Sequence, residues 1–554
     1  MDSALRAVTR PVRPAWARIG WWLPAGAFLL PLVAALWWGV AQGLDAVSWT
    51  VLLRDSQFLP AWALSGWVGV ASTVLATALA LGIVTALHGS GRWQRVQASL
   101  GALLALPHAA FAIGLALLLM PSGWPARVVA LWAGWTEPPD VATVQDPLGL
   151  ALIAGLVLKE LPFLLWNVAA QLQRAGQGAE LTKQLQIAGT MGYARRTAWQ
   201  RVLWPQLLPR LALPLLAVWA YSLTVVDMAL VLGPTQPPTL SVLAWHWLLD
   251  ADTAVNRQGA AAALLLAAST AAGAIGAALA WRLLRPAMSR RWTRGDRPTP
   301  ASRLGVVWPR VIGALYAAVG AMLLLASVSG VWTFPALWPQ QLTADAWIAV
   351  ISSAPAIGLT FALALVSAAT GMVLAVAWME TTPAHWDTRA AALVFAPMLI
   401  PGVLLVSGLY QLALHAGIDG SFAGLWLAHS LYVAPYVLVS LAPAYRGLDR
   451  RYEQTAHALG RSHAGTLWHI KWPMLSVPLA ASFAVGFAVS VTQYLPTQFV
   501  GAGRHATVTT EALTLAASGA RSAAAAFSLL QAMLPAAMFA LAWWVGRRQA
   551  ARLA

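Results

Sequence analysis

The 554-residue chain is 59% hydrophobic and only 10% charged, with a mean hydropathy of +0.66, where a soluble domain carries about a quarter charged residues, so the bilayer is its solvent. It has no cysteine, which excludes a disulfide framework, a thiolate metal site and a cysteine nucleophile. Its net charge of +16 would suit nucleic acid, but the basic residues fall in short loops between apolar runs and not on one soluble face, which excludes that partner.

A spanning helix takes about 20 mostly apolar residues, because hydrocarbon offers no partner to a free N–H or C=O. Twelve segments qualify: 21–44, 62–87, 98–121, 148–171, 212–233, 259–281, 311–334, 352–378, 390–414, 422–444, 476–500 and 523–546. The first follows a basic arm with Arg6, Arg10, Arg13 and Arg18, and more spans come after it, which argues against a cleaved signal peptide. With that arm inside, 29 of the 35 Lys and Arg lie on the cytoplasmic side, 5 outside and 1 within a span. Both termini are therefore expected in the cytoplasm. Trp21, Trp22, Trp37, Trp38, Trp543 and Trp544 mark the interfaces as lipid anchors.

The fourth span carries Lys159 and Glu160 in KELPFLLWN, and the fifth carries Asp227. Charge inside a membrane is costly, so these residues either line a path or lock neighbouring helices through a Lys159 pair with Asp227 or Glu160. The pair is favoured, because opposite buried charges serve packing as readily as transport. His429, Tyr432, Gln493, Tyr494 and Gln498 of the tenth and eleventh spans are further lumen or interhelical candidates.

Residues 282–310 hold eight Arg, one Asp and four Pro and read as a basic cytoplasmic linker, able also to meet anionic lipid heads. The linker separates a first half, 1–281, from a second, 311–554, and the two repeat each other. QIAGTMGYARRTAWQRVLWPQLLP from Gln186 aligns without a gap with QTAHALGRSHAGTLWHIKWPMLSVP from Gln454. Gln186 meets Gln454, Ala188 meets Ala456, Gly192 meets Gly460, Val202 meets Ile470, Trp204 meets Trp472 and Pro205 meets Pro473, at a constant offset of 268. PHAAFAIG from Pro107 resembles PMLIPG from Pro397, and KELPFLLWN matches YVAPYVLVS from Tyr432, with Pro162 opposite Pro435. In the paired segments a Gly able to take positive φ joins two short helices, small Ala residues suit close contact with a partner, and Pro turns the chain back to the membrane.

These paired segments resemble the EAA loop of bacterial ATP-binding-cassette importer permeases, with Gln186 and Gln454 in place of its Glu, Ile187 and Thr455 in place of its first Ala, and Trp204 and Trp472 in place of its Leu. The resemblance implies an all-α, polytopic type I importer fold in the bacterial inner membrane, with five-span cores at about 61–285 and 346–546 and one leading span before each core. The fused layout is most similar to thiamine and iron(III) permeases. The family's mechanism implies alternating access, driven by two copies of a cytoplasmic ABC ATPase docked on the two loops and supplied by a periplasmic or lipid-tethered solute-binding protein. The chain would bind no cofactor of its own, since ATP belongs to the separate ATPase, and besides these proteins it would contact membrane lipid.

No G-x-x-x-x-G-K-[ST] segment occurs, so no residues are placed to cradle ATP phosphates and the chain is not expected to be an enzyme. No loop is long enough for a solute-binding domain, and the dispersed His residues lack metal-ligand spacing. A twelve-helix secondary transporter is the alternative, but HGSGRWQRVQ from His88 lacks the Asp-Arg signature of the major facilitator family. A membrane-embedded enzyme would need converging acid, base or metal groups.

Overall fold

The computed structural model describes residues 22–173, 177–293, 295 and 304–553. The basic arm, Trp21 and the centre of the linker lie outside the described residues. In chain order the elements are α1 Trp22–Gly43, α2 Ala46–Arg54, α3 Phe58–Leu87, α4 Gly91–Ala105, α5 His108–Leu119, α6 Trp124–Ala133, α7 Leu150–Gln173, α8 Gln177–Thr190 and α9 Arg195–Ala198. A π-helical turn, Trp199–Leu203, leads into α10 Trp204–Leu207, α11 Ala212–Thr224, α12 Asp227–Leu232, α13 Leu240–Leu248 and α14 Thr253–Thr293. Then come α15 Leu304–Ser327, α16 Asp345–Ser352, α17 Ala354–Thr381, α18 His385–Val394, α19 Ala396–Leu399, α20 Gly402–His415, α21 Phe422–Gly447, α22 Arg450–Ala458 and α23 His463–Thr466. A second π turn, Leu467–Lys471, precedes α24 Trp472–Met474, α25 Ser476–Val491, α26 Leu495–Val500, α27 Val508–Ala517 and α28 Arg521–Leu553. The described residues carry no strand beyond an isolated bridge between Ser329 and Leu342. Ten helices are long and apolar enough to cross a membrane, or up to twelve if each of two bent pairs is one span.

Four expected spans are broken. Span 98–121 divides at Leu106, which is extended (φ −69°, ψ 121°), and span 390–414 divides at Ile400 (φ −80°, ψ 140°). Each precedes a proline, whose ring disfavours helical geometry in the residue before it. Spans 212–233 and 476–500 divide after Thr224 and Val491. The carbonyls freed at these breaks are taken by hydroxyls of α13 and α27: Ser241 Oγ donates to Val225 O at 2.7 Å and Thr509 Oγ1 to Val491 O at 2.5 Å. The helices carrying those hydroxyls are anchored alike, Leu240 N–H donating to Ser65 Oγ at 2.8 Å and Val508 N–H to Thr360 Oγ1 at 2.9 Å.

The linker and the span after it differ from the sequence reading, α15 beginning at Leu304 and not at 311. Arg282–Thr293, expected as linker, continues α14, and span 311–334 ends instead at Ser327. Pro286 sits within the helix but does not end it, because at this exposed position water satisfies the carbonyl that Pro leaves free.

Each leading helix packs partly on its own half, α1 on α14 and α15 on α28, and partly across on the other. Across the halves α1 packs on α20, and α15 on α3 and α5. Glycine sets both crossings, as at other close helix contacts in membranes. A Cβ on Gly408 of α20 would lie 1.8 Å from Ala35 O of α1, and one on Gly114 of α5 would lie 2.7 Å from Val319 Cγ1 of α15. Gly114 and Gly408 stand at the same place after Pro107 and Pro401. Gly408→Leu is expected to lower thermal stability in detergent by several degrees, since overpacking costs about 1–3 kcal/mol. Gly313→Leu, where a Cβ meets nothing within 4 Å, serves as control; equal melting of the two variants would refute the crossing.

Candidate functional site

The two repeated segments fold identically where their sequences agree. α8 and α22 end at Gly192 and Gly460, with φ of +81° and +80°. Tyr193 N–H reaches Ala188 O and Arg461 N–H reaches Ala456 O, both at 3.0 Å, while Gly192 and Gly460 donate to Gly189 O and His457 O, also at 3.0 Å. This double bond pattern closes a helix on a left-handed residue, which glycine adopts without steric cost. The π turns that follow sit at the same offset and contain Val202 and Ile470. In each, the next Trp N–H, of Trp204 or Trp472, bonds back to Trp199 O or Leu467 O. Pro205 and Pro473 explain the widening: each lacks an N–H, and its ring crowds the carbonyl four residues back.

Ala188 and Ala456 were expected to lie against a partner. They are instead 6% and 3% exposed, because the closing turn points them at their own chain. Gln186 and Gln454 are exposed. Among the apolar groups that project to solvent, Met191, 57% exposed, and Leu459, 79% exposed, occupy equivalent positions one residue before each glycine.

The loops are anchored differently. In the second, Lys471 Nζ lies 2.6 Å from both Glu380 Oε1 and Glu453 Oε1, and Tyr445 Oη donates to Glu380 at 2.7 Å. His463 Nε2 is 3.4 Å from Glu380 Oε2, and Trp472 Nε1 donates to Tyr445 Oη at 3.2 Å. In the first, Leu203 stands where Lys471 does. There Arg195 donates to the carbonyls of Thr85 and His88 at the end of α3, and Trp204 Nε1 donates to Thr85 Oγ1 at 3.0 Å. Sequence reasoning missed Glu380 and Glu453; the available signal was an acidic residue one place before Gln454, off the motif.

Within the membrane, Lys159 pairs with neither carboxylate named for it. Its Nζ donates to Leu106 O at 2.6 Å and Leu103 O at 3.2 Å, the last carbonyls of α4, so the ammonium caps the negative end of the broken third span. Pro162, three residues on, cannot donate to Leu158 O, and Tyr316 Oη of α15 does so instead at 3.0 Å. Glu160 is 7% exposed and makes no hydrogen bond, with His108 Nε2 at 3.8 Å. Asp227 opens α12 beyond the break and has Tyr221 Oη at 3.5 Å, at the limit of a hydrogen bond. The His108 and Tyr221 rings lie 5.0 Å apart, so the structure gathers Glu160, His108, Tyr221 and Asp227 and turns Lys159 away.

His429 is 1% exposed, with Nδ1 2.9 Å from Ser490 Oγ and Nε2 3.0 Å from Thr497 Oγ1, which makes it a lock between α21 and the broken eleventh span. Tyr494 faces Trp245 at 6.2 Å. Tyr432 Oη is buried without a hydrogen-bond partner, and Gln493 and Gln498 are half-buried. No group of three or more His, Asp or Glu among the described residues is placed to hold a metal ion.

The sequence model of the binding-protein-dependent transport system inner membrane component matches residues 371–549. The chain is 34% identical over 538 residues, 95% of its length and 96% of the other's, to the inner membrane ABC transporter permease protein YnjC of Escherichia coli. A probable molybdenum ABC transporter permease of Haloferax volcanii is 28% identical over 139 residues, 24% of this chain and 51% of that one. The spermidine/putrescine permease PotC of Haemophilus influenzae is 23% identical over 158 residues, 28% of this chain and 62% of that one.

Proposed function

The chain belongs to the permeases of binding-protein-dependent ABC transport systems, and from that premise we propose that it supplies both halves of one solute pathway and drives them through two coupling loops. It is an inner-membrane, multi-pass subunit of an ABC importer, a family that works with an ATPase and a solute-binding protein. The observation that carries the finer reading is the recurrence, at an offset of 268, of one helix, left-handed glycine, π turn and proline.

On this reading residues 1–281 and 311–554 are the two halves, and each loop seats one of two ATPase subunits. Closure of the ATPase pair moves the loops, and the halves rock about a path bordered by Glu160 and Asp227. Such coupling requires ATP to bind the closed ATPase state better than the open one. Lys159 holds the break in the third span, and His429 holds that in the eleventh. The solute classes the fused layout suggests, thiamine and ferric ion, stand beside the molybdenum and polyamine named for the relatives.

The orientation is set by the loop charge. A reporter fused after Ala554, or between Thr293 and Leu304, is expected to behave as cytoplasmic, and one after Pro125 as periplasmic; an external C-terminus would overturn the arrangement. Energy coupling is tested with the purified chain in vesicles, which is expected neither to hydrolyse ATP nor to accumulate solute until its ATPase and solute-binding protein are added. Hydrolysis at a transporter's rate by the chain alone would reject the division of labour.

A further inference from the structure

Glu160 combines features that a finished, purely structural group would not. It is a carboxylate in a membrane-spanning helix, more than nine-tenths buried, with no hydrogen bond, whereas buried carboxylates are ordinarily held by several donors. The neighbouring ammonium of Lys159 attracts it only through space and gives its hydrogen bonds to the carbonyls of α4. Asp227, at the start of α12, has the backbone N–H groups of its own turn and Tyr221 Oη at 3.5 Å. An unbonded carboxylate and a helix-opening one therefore face the same ring pair, His108 and Tyr221.

The cluster also lies where the halves meet. α5 and α12, which carry His108 and Asp227, pack against α27 of the second half. From that half Tyr436 stands within electrostatic reach of Glu160, and Tyr494 within reach of Asp227. The groups offered are thus two acceptors and several aromatic rings, drawn from both halves. Acceptors attract N–H donors, and ring faces attract cations. A bare metal ion fits less well, because the described residues supply no group of three ligands.

We propose that Glu160 and Asp227, framed by His108, Tyr221, Tyr436 and Tyr494, form a binding site for an organic ammonium cation at the junction of the halves. This rests on the importer reading and adds the charge class of the solute. The cation donates to the two carboxylates and lays its alkyl part on the rings. When the halves rock, the contacts from opposite halves part, so the same groups that bind the cation also release it.

The test is a titration of the full chain in lipid nanodiscs with four probes of equal length: 1,4-diaminobutane, butylammonium, butane-1,4-diol and butanedioate. Both amines are expected to bind and to compete with one another, and the diol and the diacid are not. Glu160→Gln and Asp227→Asn should each weaken amine binding about tenfold or more, while Glu160→Asp keeps part of it. The thermal transition of each variant shows that it is folded, and either one suffices. Equal binding of amine and diol, preference for the diacid, or unchanged amine affinity in both neutral variants overturns the site. Loss of the amine preference while the loops still crosslink to the ATPase removes the cation assignment alone. Amine binding without any crosslink keeps the site and removes the importer reading.

Discussion

Lys471→Met is expected to uncouple the transporter more severely than any other single change in the second loop. The ammonium is 10% exposed and sits 2.6 Å from two carboxylates, Glu380 at 13% and Glu453 at 34% exposure. Its removal leaves Glu380 buried, negative and facing a like charge. Breaking a buried pair from one side costs about 3–5 kcal/mol, and the lower end applies here because Glu453 keeps about a third of its surface in water. The folded membrane part need not fail, since the network ties the loop to α17 and α21 and leaves their packing in the membrane intact. The expected readout is normal insertion with lost coupling of ATP hydrolysis to uptake. Glu380→Gln with Glu453→Gln in the same chain should restore much of the coupling, because the stranded charges are then gone. If the triple variant stays as defective as Lys471→Met, the ammonium acts through something other than neutralising these carboxylates.

The first loop should respond differently to the same kind of change. Leu203 holds the position of Lys471, and the loop is fastened by Arg195 and Trp204 to the end of α3. Arg195→Met removes donors from backbone carbonyls that water can reach, so its effect should be smaller than that of Lys471→Met in the same coupling assay. Matching loss from both variants would mean that the anchors are equivalent despite their chemistry.

How much of this was legible in the sequence depended on which forces were local. Apolar runs placed the spans because length and hydropathy are all a crossing requires, and α3, α7, α17 and α21 lie within a few residues of expectation. The breaks were only half visible. Pro107 and Pro401 lie in the matched stretches PHAAFAIG and PMLIPG, yet the extended residue before each is a steric consequence that composition does not display. The crossing of α1 and α15 to other segments was invisible, since it depends on the match between Gly408 and Ala35, and between Gly114 and Val319, which are remote in sequence. The length of α14 was hidden by the Arg run, which reads as linker although Arg is a good helix former.

In the candidate site the backbone was easier to read than the side chains. Gly192 and Gly460 announced a left-handed turn through their spacing to Pro205 and Pro473. The direction of Ala188 and Ala456 did not follow, because the closing turn rotates the helix face by an amount only the hydrogen bonds fix. Lys159 was paired on paper with the nearest opposite charge, whereas its partners are main-chain oxygens at a helix end, which carry no side-chain signal. Glu380 lies 91 residues from Lys471, so only the fold brings that pair together.

Gly192→Val or Gly460→Val is expected to stop transport while leaving the protein in the membrane. At Gly460 a Cβ would meet nothing within 4 Å, so crowding plays no part, and the penalty comes from φ of +80°. A β-branched residue held there costs about 1–3 kcal/mol, and relief of that strain reorients the helix and π turn that follow. Gly460→Asn should recover part of the activity, because Asn tolerates the left-handed region better than other side chains. On the proposed reading, in which two ATPases close as a pair, damage to either loop is enough. With no native cysteine in the chain, contact can be read separately: single cysteines at Met191 and Leu459, the exposed apolar positions, should crosslink to a cysteine in the ATPase groove. Cysteines at the buried Ala188 and Ala456 should react poorly, and Val at the adjacent glycine should abolish the crosslinks at Met191 and Leu459. Full uptake by the double Val variant, with no crosslink at Met191 or Leu459 in the parent, would show that neither segment couples ATP to transport.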